Sequence, residues 1–462
     1  MTRIIKNIII GIFFFISFSS YSQSFIVKNI EIEGNKITKT NFILRELLFS
    51  IGDTICFKDW ESISKQSIEN LINTSLFNEA NIELSKTDNS GEIKILLVER
   101  WYLWPIPQFT IEERNFNVWW ESKDLSRASI GLFVNHNNMR GRGEIMKLLL
   151  MFGYNKKLGV AYEMPYINKK KTIGIGFQSI YTTRHEVNMY TEFDEQVYLK
   201  TENKEIQEDW ISSIQMTYRP GIFMHNLLQF RYHQWYFSDT LLATNSNYSS
   251  NLENNLKYFG IYYKFKLDHR DYKPYPLSGY YADIEVNKTG LGIFENDLNI
   301  LSFKSTMRKY FTLSPRFFLA GGIIAKVSNK AYQPYLLERG LGYGRDFVRG
   351  YEYYVVDGQN YLVGKTNVKF AIIPKKVFNI GFIPTDKFNK IPVSLYINAF
   401  ADAAYVNNRQ DYSITNILPN TFIYAGGFGI DFVTYYDAVA RFEWAVNKIG
   451  ESHFYVHFIA PI

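Results

Sequence analysis

Arg349 is the first candidate for chemistry in this sequence. Arg349 lies in GYGRDFVRGYEYYVVDG, residues 342–358, between Val348 and the pair Gly350 and Tyr351. A guanidinium can meet a carboxylate through two hydrogen bonds. The glycines of the segment let the chain turn tightly. The pattern predicts neither a helix nor a catalytic loop, so the role of this arginine depends on the elements around it.

The seven histidines are the other candidates for chemistry. None of them lies in a G-x-S-x-G or H-E-x-x-H context, so the sequence offers neither a nucleophile with its base nor a zinc motif. His453 and His457 share one face of the last predicted strand, but two alternating histidines are more often packing residues than a metal site. We therefore expect no enzymatic activity, no cofactor and no metal site.

The first 22 residues predict export. A basic start is followed by an apolar stretch from Ile8 to Phe18 and by small residues at Ser20 and Ser22, which is the layout of a signal peptide. A transmembrane anchor needs about 18 or more apolar residues, so we interpret residues 1–22 as a signal peptide. The single cysteine, Cys56, cannot form an intramolecular disulfide.

The composition favours a β-barrel in an outer membrane. Aromatic residues make up 17% of the chain and charged residues 21%. Strands with rings on one face and polar residues on the other suit a barrel that contacts outer-membrane lipid and keeps a wet lumen. The net charge of +6 is mild, and the basic residues are scattered except for Lys169–Lys171. We expect no nucleic-acid partner and interpret that cluster as a solvated loop facing lipid headgroups.

Residues 23–100 predict a small α+β domain in the order strand, helix, helix, strand, strand. The helices are expected to pack four side chains against one face of the sheet: Leu47, Leu48, Leu71 and Ile72. We interpret residues 101–127 as a connecting segment.

Residues 128–462 alternate with a period of two and predict an antiparallel barrel of sixteen strands. An even number of antiparallel strands closes without edges, as a lipid environment requires. A soluble β-sandwich is the alternative, but it would not need so many exposed aromatic residues. If the first strand leaves the periplasm, the loop after strand eleven opens on the cell surface. That loop, about residues 329–360, is long enough to be functional, and it contains Arg349.

Several motifs occur in one order along the chain. FVRGYE starts at Phe347, DHRDYKPYPLSGYY at Asp268, FADAAYV at Phe400, and NNMRGRGE and MPYI precede them. Together they resemble the BamA/TamA family of outer-membrane assembly and translocation barrels. The N-terminal domain resembles the periplasmic POTRA module of such proteins, although other small α+β domains share its order of elements. The sequence departs from the family in carrying one such module, in its last residues and at Ala404, where the family prefers glycine.

The resemblance implies that the surface loop folds back into the lumen, where the arginine pairs with a carboxylate on the inner wall. On the strand SLYINAFADAAYV, Ser394, Tyr396, Asn398, Phe400 and Asp402 share one face. Asp402 is therefore the expected partner of Arg349, and Val348, Arg349, Gly350 and Tyr351 form the functional loop motif. The family's second carboxylate, on strand twelve, is replaced by Lys369, which we expect to modulate the pair.

The resemblance further implies a non-enzymatic function. The POTRA-like domain would accept unfolded outer-membrane or secreted polypeptides in the periplasm, with a lipoprotein or chaperone as a further partner, and the barrel would insert or export them. The seam between the first strand, interpreted as ASIGLFVNH, and the last strand, with Pro461, either opens sideways or is an ordinary pair of chain ends. A passive pore is the alternative function. The client and the choice between insertion and secretion cannot be inferred from the sequence.

Overall fold

The structure is a computed structural model that describes residues 23–458 apart from 88, 112–124, 126–127, 202–203, 251–252, 296–297, 331, 382–384, 386–387 and 410–414. The predicted signal peptide, residues 1–22, and Pro461 lie outside the described residues. Among the described residues, no helix is long and apolar enough to cross a membrane.

The N-terminal domain has the predicted order with one additional short strand. Its elements are β1 (Ser24–Glu33), α1 (Thr40–Arg45), β2 (Thr54–Cys56), α2 (Phe57–Ile72), β3 (Phe77–Thr87) and β4 (Ser90–Glu99). The sheet order is β2-β1-β4-β3. Strands β1 and β4 are parallel, and the other two pairs are antiparallel. The two edges of this sheet are therefore the short β2 and the long β3.

Three of the four predicted helix contacts are part of the core of this domain. Leu47 and Leu71 are buried, and Ile72 is partly buried against them. The prediction for Leu48 is wrong, because 40% of that residue is exposed. Leu48 follows the end of α1, where its backbone amide donates to the Ser67 hydroxyl over 3.1 Å and the helical period no longer applies.

Residues 23–100 are expected to fold as an independent soluble unit, since both helices and the sheet supply most of their core; Tyr102 and Tyr166, from outside the fragment, complete the cluster. Circular dichroism of this fragment should show both helix and strand. Leu71→Ala, at a fully buried position, should destabilise it by roughly 2–5 kcal/mol, whereas the exposed Leu48→Ala should cost much less. A spectrum without helix would contradict the expectation.

The rest of the chain forms one antiparallel sheet of 16 strands, as predicted. Its strands are β5 (Leu103–Ile111), β6 (Ala128–Met139), β7 (Glu144–Gly153), β8 (Lys157–Met164), β9 (Ile173–Arg184), β12 (Gln207–Tyr218), β13 (Met224–Phe237), β14 (Asn255–Asp268), β15 (Gly279–Thr289), β16 (Ile300–Thr312), β17 (Phe317–Ser328), β18 (Asn360–Asn379), β19 (Lys390–Asn407), β20 (Phe422–Val433), β21 (Val439–Asn447) and β22 (Ser452–His457). A separate hairpin, β10 (Glu186–Glu192) and β11 (Glu195–Lys200), pairs only with itself in the described sheet. Helix α3 (Asp239–Thr244) follows β13.

The position of the first barrel strand corrects the predicted domain boundary. Strand β5, in the segment interpreted as a connector, pairs with β6 from Leu103 to Ile111. ASIGLFVNH is consequently part of the second strand. The sequence of β5 was misleading because Pro105 and Pro107 remove two backbone donors, which a strand tolerates at the edge of a sheet.

The two faces of the sheet have opposite chemistry. Outward residues are large and apolar, including Phe303, Ile323 and Phe428, which are 45%, 57% and 64% exposed. On β19 the predicted alternation is confirmed, because Asp402 is buried while Ala401 faces out. Polar residues therefore line the lumen and apolar residues form the outer surface, as in membrane β-barrels.

The N-terminal domain lies across one end of the barrel and contacts six turns around its rim. The contacting pairs are Lys39–Gly141 (2.8 Å), Asn41–Lys171 (2.7 Å), Glu46–Arg219 (2.6 Å), Asn73–Asp271 (2.9 Å), Glu79–Lys390 (2.8 Å) and Arg100–Asp437 (2.7 Å). Lys171, from the lysine cluster interpreted as a lipid-facing loop, is thus one of these contacts. The loop between β17 and β18 opens at the opposite end.

Candidate functional site

The loop between β17 and β18 folds into the barrel and buries its central motif. Val348, Arg349 and Tyr351 are 1%, 0% and 3% exposed. Gly350 has a φ of +90°, and a Cβ added there would lie 3.0 Å from the Ala425 Cβ. Glycine is needed at this position because the backbone conformation is left-handed and the wall is close.

Arg349 and Asp402 meet in the lumen. The guanidinium donates from Nε to Oδ2 over 2.8 Å and from Nη2 to Oδ1 over 2.6 Å. The backbone amide of Arg349 also donates to Oδ2 over 3.2 Å. Both side chains are fully buried. Two parallel hydrogen bonds between opposite charges form a strong and directional contact, which holds the loop against β19.

The guanidinium has three further partners. Nη1 donates to Glu443 on β21 over 3.4 Å, and Nη2 donates to the Thr366 carbonyl on β18 over 3.0 Å. The guanidinium carbon lies 4.0 Å from the centre of the Phe400 ring. Arg349 therefore fastens the loop to three strands of the wall. We name Arg349, Asp402 and Glu443 the loop clasp.

Sequence reasoning missed Glu443. The signal was present in VARFEWAVN, where Arg441 and Glu443 alternate with Phe442 and Trp444. The two charged residues therefore face the lumen and the two aromatic residues face out. Only the neighbour relations of β18, β19, β20 and β21 decide that this second carboxylate reaches Arg349.

The modulating role predicted for Lys369 stays a prediction, and the structure places a different lysine beside Asp402. The lysine near Asp402 is Lys365, with 3.8 Å between Nζ and Oδ2. Lys369 lies four residues further along β18, two periods of the alternation, where its amine lies 4.0 Å from the centre of the Tyr275 ring and makes no hydrogen bond to any described residue. The lumen thus holds two buried lysines with different surroundings.

A second buried ion pair lies beside Lys369. Arg441 donates to Asp431 over 2.5 and 2.8 Å. Asp431 also accepts from the Tyr275 hydroxyl over 2.6 Å and from the Asn398 amide over 3.0 Å. We name Asp431, Arg441 and Tyr275 the turn clasp, because Tyr275 belongs to the inward-folded turn between β14 and β15.

The two clasps are joined through one glutamate. Glu443 Oε1 lies 3.7 Å from Arg441 Nε and 3.4 Å from Arg349 Nη1. The β17–β18 loop and the β14–β15 turn are therefore held by one connected set of charges. Removing one member leaves a buried charge without its compensation.

The turn between β14 and β15 also connects the barrel to the N-terminal domain. The Tyr272 hydroxyl donates to Asp437 Oδ1 over 2.6 Å, and Arg100 donates to Oδ2 over 2.7 Å and to Oδ1 over 3.0 Å. Asp437 lies in a short 3-10 helix, Tyr435–Asp437, between β20 and β21. It is thus shared by the domain and by two turns of the barrel rim.

Docking of the N-terminal domain is expected to weaken in acid. Burial alone would raise the pKa of Asp437, but hydrogen bonds from Arg100, Tyr272 and Ser75 outweigh it and hold the pKa below the ordinary value. A carboxylate with a lowered pKa in the docked state stabilises that state above about pH 4 and loses this contribution as the pH falls further. Energy transfer between dyes on the domain and on the barrel rim should decrease below that pH. Asp437→Asn should dock less tightly at neutral pH and lack this acid step; an unchanged step in the variant would contradict the assignment to Asp437.

The loop motif also contacts the strands nearest the chain end. Asn447 on β21 donates to the Gly350 carbonyl over 3.0 Å, and the Tyr351 hydroxyl donates to the Tyr424 carbonyl over 3.3 Å. Glu352 lies 3.2 Å from His457 Nε2 on β22. The four residues of the predicted motif are therefore together, and the segment that follows them reaches the last strand.

The sheet has two terminal strands, β22 and β5. Within the described residues, each pairs with one neighbour only, β22 with β21 and β5 with β6. The pairing of β21 and β22 covers Arg441–Val446 against Ser452–His457. The seam is consequently between β5 and β22, and not beside ASIGLFVNH.

Comparisons with known proteins agree on the architecture. No model of a known protein family matches this sequence, and neither does any curated protein. Among solved structures, the chain is similar to BamA from Haemophilus ducreyi lacking POTRA domains 1–3, with a TM-score of 0.51, 14% identity, and coverage of 94% of this chain and 84% of that one. It is also similar to CdiB from Escherichia coli, with a TM-score of 0.55, 12% identity, and coverage of 95% and 74%.

These likenesses define the class of fold: a 16-stranded outer-membrane β-barrel preceded by an α+β domain. It is the fold of BamA and CdiB, which agrees with the motif resemblance to BamA/TamA barrels.

Proposed function

We propose that this protein is an outer-membrane assembly or translocation factor of the BamA/TamA type. It would accept an unfolded polypeptide on its periplasmic, POTRA-like domain and insert or export that polypeptide at the barrel. The work is non-enzymatic and lowers the barrier to crossing or inserting into the membrane. A lipoprotein or chaperone in the periplasm is a further proposed partner.

The loop clasp carries this proposal. A surface loop is anchored inside the lumen by a fully buried ion pair, while the N-terminal domain covers the other end through contacts at six turns. A passive pore requires an open lumen and needs neither feature. Both features fit a barrel that regulates the passage of a polypeptide.

The client is proposed to bind by adding a strand to the sheet of the N-terminal domain. Strand β3, with 11 residues, is an edge of that sheet. Strand addition to an exposed edge uses backbone hydrogen bonds and so accepts many sequences. The contact between Glu79 and Lys390 places the start of this edge at the barrel rim.

The client is proposed to leave at the seam between β5 and β22. Strand β22 has only six residues, and Pro105 and Pro107 remove donors from β5. Both features weaken strand pairing. A weak seam would open sideways at lower cost than any other strand pair in the described sheet.

Depletion of the protein, followed by an inventory of outer-membrane proteins, tests the proposal. Broad loss would indicate general assembly, and loss of one surface protein a dedicated transporter. No change in any outer-membrane or secreted protein would contradict the proposal and favour a passive pore. Re-expression of the natural chain should restore the inventory. A variant with its seam locked by cysteines on β5 and β22 should restore it only after reduction.

A further inference from the structure

The half of the lumen away from the N-terminal domain contains a cavity of about 850 Å³. Its lining comes from strands between β5 and β18, from the β10–β11 hairpin and from part of the β17–β18 loop. This volume lies within the range of natural ligand pockets. The loop clasp lies outside its lining, so the cavity is a separate feature.

The carboxylates that line this cavity already have cationic partners. Glu285 lies 2.7 Å from Lys264, and Glu186 lies 3.3 Å from Lys200. Asp346 forms an ion pair with Lys304. The negative charges of the lining are therefore compensated by lysines.

Five cations of the lining form no ion pair with a described residue, although Glu285 acts on Arg231, and Asp346 and Glu338 act on Lys326, from a greater distance. No described carboxylate lies within ion-pair distance of any of them: Lys157, Arg231, Lys326, Arg339 and Arg345. Three of these use neutral acceptors. Arg231 donates to the Gln229 side chain over 2.6 Å, Lys326 to the Arg339 carbonyl over 2.7 Å, and Arg339 to the Leu336 carbonyl over 3.2 Å.

The wall of the cavity therefore carries an excess of positive charge in a confined space. Charges of one sign that line a cleft with low-dielectric walls raise the local concentration of an oppositely charged ligand. Three of the five cations are guanidinium groups, which bind carboxylates through two hydrogen bonds. The lining is thus built for several anionic groups at once.

We propose that this cavity binds an acidic stretch of the client polypeptide, with carboxylate side chains facing the five cations. The inference rests on the proposed function and names a feature of its substrates. The cavity reaches β5, at Thr110, so an acidic stretch held there would lie beside the seam.

The surroundings favour a peptide over a membrane lipid. The lining is rich in polar groups, including the tyrosines Tyr198, Tyr262, Tyr343 and Tyr361. A lipid bound there would bring its acyl chains into a polar lumen, whereas a peptide brings backbone N–H groups that can donate to these hydroxyl oxygens.

Binding of labelled peptides to the purified full-length protein in detergent tests the inference. The probe is a short peptide of alternating aspartate and serine, and its match has asparagine in place of aspartate. The acidic peptide should bind and the neutral one should not. Raising the ionic strength to about 1 M, where the screening length is about 3 Å, should abolish binding.

Lys157→Gln and Arg345→Gln are the informative variants, because neither side chain makes a hydrogen bond or ion pair with a described residue. Each should weaken binding of the acidic peptide by roughly two- to fivefold. Arg316→Gln, at an exposed turn at the opposite end of the barrel, is the matched control and should bind normally. As a check on folding, all variants should show the same difference in gel mobility between heated and unheated samples.

Equal binding of both peptides, or unchanged binding in the Lys157→Gln/Arg345→Gln double variant, would overturn the inference. Displacement of the peptide by vesicles of anionic lipid but not by neutral vesicles would assign the cavity to a headgroup and overturn it as well. The result of the depletion experiment is independent of these binding results. Loss of outer-membrane proteins on depletion, together with unchanged peptide binding in the double variant, would leave the proposed function intact and remove only the inferred binding of an acidic stretch.

Discussion

Asp402→Ala is expected to release the β17–β18 loop from the lumen and to abolish most of the proposed assembly or translocation activity. The substitution leaves Arg349 and Lys365 buried with Glu443 as the remaining carboxylate of the clasp. Breaking a buried ion pair by removing one partner costs roughly 3–5 kcal/mol. The barrel itself should still insert, because its strands are held together by their own hydrogen bonds. The release is measured by treating intact cells with protease and detecting cleavage of the loop within residues 329–359.

Arg349→Ala should have a smaller effect than Asp402→Ala. Asp402 keeps Lys365 at 3.8 Å when the arginine is removed, so its charge retains a partner. The double variant should be no worse than Asp402→Ala, since residues that act through one contact are not additive. Ala401→Val, on the same strand but facing out, is the control and should leave the loop protected. Additive losses, or equal protection in every variant, would mean that the contact does not hold the loop.

Asp431→Ala is expected to have the second large effect. It removes the acceptor of Arg441, Tyr275 and Asn398 together, and the cost should again be roughly 3–5 kcal/mol. Because Tyr275 lies in the turn that also contacts Asn73 of the N-terminal domain, both barrel stability and docking should decrease. Barrel stability is measured as the temperature at which the gel band of the folded barrel disappears. Docking is measured as the energy transfer between dyes on the N-terminal domain and on the barrel rim.

Lys369→Met provides the matched comparison for the turn clasp. The buried amine of Lys369 makes no hydrogen bond to a described residue, and an apolar side chain of similar length avoids that desolvation cost. This variant should be neutral or stabilising. If Asp431→Ala and Lys369→Met lowered the unfolding temperature equally, the turn clasp would have no role beyond packing.

The sequence by itself determined which residues face the lumen. A period of two fixes the side of the sheet on which a side chain lies, so Asp402 could be placed on the inner wall from SLYINAFADAAYV alone. The same local rule gave the barrel architecture, and the helical period gave α1 and α2 of the N-terminal domain. The order of the motifs gave the strand numbers of the loop and of the turn between β14 and β15.

Only the tertiary structure decided which inward residues meet. Arg349 and Glu443 are 94 positions apart, and their contact depends on strand register and on the depth of the loop, neither of which leaves a local pattern. Lys365 and Lys369 share the inner face of β18, so alternation could not tell which one lies beside Asp402. Strand β5 was missed for a related reason: prolines argue against a strand in general, and only a position at the edge of the sheet makes Pro105 and Pro107 acceptable.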